Sequence, residues 1–134
     1  MELKHLYEIA KDNNIQVHSI RCPCSQAISL HTEDSDYIGL DRSVLCSESR
    51  ERQVLAHELG HCLTGAFYCD HANKTNVSRM EYRALKKEVE LLIPKEDLFK
   101  ELTEDYTIFG LAEHFGVSEG LIKKAFFIYF RIVF

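Results

Sequence analysis

The chain has 134 residues, 46% of them hydrophobic and 28% charged, a composition that suits one globular domain and excludes a disordered tail or a low-complexity filament. Sixteen Lys and Arg against twenty-one Asp and Glu leave a net charge of −5, the wrong sign for a protein that holds nucleic acid mainly by electrostatics. No apolar run approaches the roughly 20 residues that cross a bilayer, and the mixed acids and bases of residues 1–14 do not form a signal peptide, so a cytoplasmic protein without a membrane partner is expected.

In chain order, Leu3, Leu6, Tyr7 and Ala10 recur at helical spacing until Asp12-Asn13-Asn14 breaks the pattern. The alternating pairs Ile15/Val17, Ile28/Leu30 and Ile38/Leu40 predict three short strands, with Pro23 and residues 33–36 in the connections. A long helix is expected from Ser47, an N-cap followed by Glu48 and Glu51 in the first turn, to Gly65. Residues 68–77 read as an irregular loop, and a second helix as Ser78 to Ile93, closed by Pro94. From Asp97 onward the pattern is helical, punctuated by Gly110, Gly116 and Gly120. The predicted class is α+β in a single domain. Residues 1–46 supply a helix and a small three-stranded sheet, 47–94 the two central helices, and 95–134 a helical part.

One motif carries chemistry: His57-Glu58-Leu59-Gly60-His61, an HExxH inside the first long helix. Four residues at about 100° each bring His61 to within about 40° of His57, so both imidazoles share a face one turn apart and can bind one metal. Glu58 lies about 100° away from His57, too far round to share the metal easily but placed to hydrogen-bond a water that the metal carries. Gly60 lets another segment approach the helix closely. Leu55, Leu59 and Cys62 form a separate apolar stripe that can anchor the helix to the sheet.

A catalytic zinc takes three protein ligands and leaves a position open. The third can come from Asp70, His71, Glu81 or Glu88. For Glu81, spacing fits two roles equally, because Ser78 and Glu81 also have the spacing of a capping box. Two imidazoles and a carboxylate favour zinc over manganese or iron. Tyr68 and His71, in the loop after the helix, are the nearest candidates to stabilise an oxyanion or contact substrate, on proximity alone. The five cysteines read as scattered free thiols; Cys22-Pro23-Cys24 lacks the second pair that a zinc ribbon needs. His5, His18, His31 and His114 read as isolated side chains.

Residues 54–94 resemble the ImmA/IrrE family of zinc metallopeptidases, which joins an HELGH helix to a second helix reading E-x-x-A and ending in Leu-Leu-x-Pro. Here those positions are Glu81-Tyr82-Arg83-Ala84 and Leu91-Leu92-Ile93-Pro94. The resemblance implies a zincin-like fold with one zinc on His57, His61 and Glu81, and Glu58 as catalytic base. It also implies a protein substrate, typically a helix-turn-helix repressor of a prophage or mobile element; 134 residues leave little wall for a deep groove, so docking of that folded substrate and a limited cut are expected. Lys87-Glu88 stands where that family usually has Phe-Ala, and Glu88, two turns beyond Glu81, competes with it as ligand. Leu111 to Ser118 followed by Ile122 has the pattern of a helix-turn-helix, but Lys123 and Lys124 are poor base readers, so direct DNA binding is not expected. The rival reading is a non-enzymatic regulator that binds a repressor or DNA through residues 107–131. The apolar end, residues 126–134, must either complete the core or meet a partner.

Overall fold

The computed structural model describes residues 1–22, 25–69 and 71–134. Helix α1 (Leu3–Asp12) buries Leu6 and Ala10 and is capped by Asn13, after which Asn14, at a φ of 58°, reverses the chain into strand β1 (Ile15–Ser19). Asparagine tolerates this left-handed conformation better than most residues. Strands β2 (Ala27–His31) and β3 (Asp36–Leu40) follow, giving the sheet order β1-β3-β2. The central β3 runs parallel to β1, with Val17 beside Ile38, and antiparallel to β2, with Ser29 beside Ile38.

All three strands appear where alternation predicts them, but the apolar side chains of β2 point outward. Ile28 and Leu30 are 42% and 55% exposed, whereas Ala27 and Ser29 are half-buried; Ile28 still borders the smaller of two cavities beside the long helix. A helix crossing this edge strand closely leaves room only for small side chains on its side of the sheet. Ile28 instead covers Gly39 from the outer face, together with Ile20.

Helix α2 (Glu48–Thr64) has the predicted boundaries. The Ser47 hydroxyl accepts the Arg50 N–H, and Gly65 closes the helix at φ 67°. Leu55 and Leu59 are fully buried on the stripe that meets the sheet, each contributing roughly 1.5–3 kcal/mol of transfer free energy.

Helix α3 (Lys74–Leu92) begins four residues before the expected Ser78. Asn73 is its N-cap, accepting the Asn76 N–H, so Ser78 lies inside the helix and the capping-box role for Glu81 is excluded. The competing cap has the same chemistry as Ser78, and local spacing does not rank two such residues. At the crossing of α2 and α3, a Cβ on Gly60 would stand 2.4 Å from the Ala84 carbonyl oxygen. The missing side chain therefore sets how near the two helices lie.

Pro94 ends α3 and caps α4 (Lys95–Glu101); α5 (Ile108–Phe115) and α6 (Glu119–Phe130) complete the chain. Gly116, at φ 65°, makes the turn between α5 and α6, giving the helix-turn-helix shape. This turn is fastened to α2. Ser49 donates to the Gly116 carbonyl, Arg52 to the Phe115 carbonyl, and the Ser118 N–H donates to Gln53. One apolar cluster runs from Leu6 and Ile38 through Leu55 and Val89 to Ile122 and Phe126. At the C-terminal end, Phe126 completes the core, while Val133 and Phe134 remain exposed. Among the described residues no helix is long and apolar enough to cross a membrane.

Candidate metal centre

Helical spacing brings His57 and His61 to one face of α2, their ring centroids 5.0 Å apart. Because Gly60 lets α3 close in, Glu81 reaches both rings. One carboxylate oxygen lies 3.0 Å from His57 Nε2 and the other 2.9 Å from His61 Nε2. One ligand atom from each of His57, His61 and Glu81 falls within 4.8 Å of the others.

The remaining ring nitrogens are already used. His61 Nδ1 donates to the Ala66 carbonyl at 2.6 Å, and His57 Nδ1 donates to Glu88 Oε1 at 2.8 Å. With both Nδ1–H groups engaged, each neutral imidazole turns the lone pair of Nε2 toward Glu81. A carboxylate can only accept, so positive charge must lie between these groups, either as protons on the rings or as a metal ion. The donor set of two imidazoles and one carboxylate fits a dication, zinc above all.

The electrostatics agree with this crowding of negative charge. Burial opposes ionisation of His57, but hydrogen bonds to Glu81 and Glu88 outweigh it and raise its pKa to about 10. His61 is raised in the same way by Glu81 and the Ala66 carbonyl against the effect of burial. Hydrogen bonds from His57 and His61 hold the Glu81 carboxyl far below the usual carboxylate range. Glu58 moves upward, chiefly through burial, with the two imidazoles opposing.

Glu58 stays outside the ligand cluster but lines both cavities of the cleft. One, of about 620 Å³, is also bordered by Gln26, Arg50, His57 and Lys124; the other, of about 320 Å³, by Ser29, His61 and Tyr68. Of the two loop candidates, Tyr68 reaches the site and donates to Glu81 Oε2 at 2.9 Å. Burial, followed by Glu81, pushes its phenol up to about 12, so it remains a donor. His71 is exposed and lines neither cavity. Asp70 and Cys24 lie outside the described residues.

Glu88 sits on the far side of His57 from Glu81, buried, and is not part of the three-residue cluster. Two turns of α3 separate the carboxylates, so they bracket one imidazole at its two nitrogens. The i, i+7 spacing signals that they share a face; only the position of His57 between them separates their roles. The Ala66 carbonyl could not be read from residue types, because every residue carries one. Cys22, Cys46, Cys62 and Cys69 are free thiols, and none belongs to the cluster. His31 pairs with Asp36 and His114 with Glu101, away from it.

The family model for a peptidase family described as the IrrE N-terminal-like domain matches residues 12–127. No match was found among curated proteins.

Proposed function

Since the chain belongs to the IrrE N-terminal-like family of metallopeptidase type, we propose that it is a zinc-dependent endopeptidase making a limited cut in a protein substrate. The observation that carries this reading is the convergence of His57, His61 and Glu81 beside Glu58 at an open cleft. When bound by those three residues, zinc supplies Lewis acidity and lowers the pKa of a water to roughly 7.

Glu58 accepts a proton from the attacking water and returns it to the leaving nitrogen. Its place on both cavities gives its carboxylate access to water and to a peptide lying across the cleft. Tyr68 offers a protonated phenol at the edge of the smaller cavity, where it can donate to the developing oxyanion. The β2 edge and the α3 face supply only short walls, so selection rests on docking a folded partner. Family resemblance supports a helix-turn-helix repressor of a prophage or mobile element as that partner, with cleavage in the cytoplasm releasing the repressed genes.

The test compares wild type with Glu58→Gln on neighbouring repressors and on casein. Limited repressor cleavage, abolished in Glu58→Gln with zinc retained, is expected. Full activity in the variant would refute the base assignment. Broad casein digestion that spares the repressors would refute the limited cut. The rival, a non-enzymatic regulator, is favoured by the helix-turn-helix shape of α5 and α6. It would show a salt-sensitive DNA complex lost on replacing Lys123 and Lys124. Lys124 lines the cavity that holds His57 and Glu58, which supports a place in the cleft instead.

A further inference from the structure

Glu88 is a carboxylate that the metal cluster does not use. It is only 4% exposed, and among the described residues its one ion-pair partner is His57. The adjacent Lys87 reaches Glu90 instead, at 3.7 Å. A buried charge costs free energy unless a partner compensates it. Here the compensation passes through one imidazole whose other nitrogen faces the metal position.

We propose that Glu88 is a positioning residue for the metal centre. By accepting the His57 Nδ1–H, it fixes the tautomer that leaves Nε2 free to bind, and its charge makes that nitrogen a stronger donor. This assignment rests on the metal-binding reading above. His61 has the same arrangement with a neutral acceptor, the Ala66 carbonyl at 2.6 Å, which holds the ring but adds no charge. The two histidines are therefore unequal: His57 is the ligand backed by a carboxylate. Such outer partners orient the ring and raise ligand basicity, and their loss typically weakens metal binding about 10–100-fold.

The experiment measures zinc affinity by competition with a chromophoric chelator, using the full chain as wild type, Glu88→Ala and Glu88→Gln. Loss of about tenfold or more is expected in Glu88→Ala. Partial recovery is expected in Glu88→Gln, whose amide oxygen can still accept from Nδ1. Wild-type affinity in Glu88→Ala, or no recovery in Glu88→Gln, overturns the assignment. Wild-type protein that takes up no zinc overturns the metal reading itself and this assignment with it. Should Glu88→Ala fail to fold, ring nitrogen spectra of zinc-loaded wild type decide. A His57 Nδ1–H protected from solvent exchange supports the assignment; a proton on Nε2, or an unprotected Nδ1, overturns it.

Discussion

Replacing Gly60 by alanine tests whether helix proximity builds the metal centre. The new Cβ would lie 2.4 Å from the Ala84 carbonyl oxygen and 3.1 Å from the Ala84 carbonyl carbon and Cα. These are backbone atoms, so no rotamer relieves the contact. Reaching an ordinary separation requires α3 to retreat by about 1 Å at this crossing. Overpacking of this kind costs about 1–3 kcal/mol, against which alanine regains roughly 1 kcal/mol of helix propensity. The net loss is then at most about 2 kcal/mol, or roughly 5–10 °C in Tm for a domain of this size.

Metal affinity should suffer more. Glu81 lies one turn before Ala84, and moving it by about 1 Å separates its carboxylate from imidazoles that now stand 3.0 and 2.9 Å away. A ligand displaced that far should weaken zinc binding by about 10–100-fold. Chelator competition and thermal melts with and without zinc measure both effects. Gly65→Ala is the control. It strains a φ of 67° at about 1–2 kcal/mol but meets nothing within 4 Å, so zinc affinity should hold. Wild-type zinc affinity in Gly60→Ala, or equal loss in both variants, would refute the argument.

Glu81→Ala should leave the fold intact and bind zinc far more weakly than wild type, as read by metal content after dialysis. Asn73→Ala should cost about 1 kcal/mol in a urea or thermal melt, whereas Ser78→Ala should cost less than about 0.5 kcal/mol, because only Asn73 caps α3. Removing the Tyr129 hydroxyl with Tyr129→Phe should cost about 1 kcal/mol, since it donates to the Ile93 carbonyl at 2.7 Å and ties α6 to the end of α3. The Asp41 carboxyl is held below its ordinary value of 3.8 by the Cys22 N–H and then by the Ser43 hydroxyl. A depressed acid contributes stability above its unfolded pKa and loses it as pH falls through the folded one. Acid titrations of Tm should therefore show a shallower fall below pH 3.8 for Asp41→Asn than for wild type.

Local chemistry in the chain was enough for α1, α2 and the three strands, because each carries its own period and its own end signals. Ser47 and Gly65 bound α2 as read, and the HExxH spacing places both imidazoles on one face of any helix it occupies. The start of α3 lies four residues before Ser78 because two residues of similar capping power, Asn73 and Ser78, stand close together in the chain and only Asn73 is used. Tertiary packing decided the rest. Alternation in β2 identified a strand but not which face the α2 crossing would leave open, so Ile28 and Leu30 point outward. Glu81 and Glu88 are the same residue type on the same face of one helix, and nothing local says which nitrogen of His57 each one meets. The distinction comes from His57 lying between them, with Glu81 at Nε2 and Glu88 at Nδ1. Periodicity and capping are properties of neighbours along the chain; which nitrogen meets which carboxylate depends on how closely two helices cross, and that distance is set by Gly60 against the backbone of Ala84.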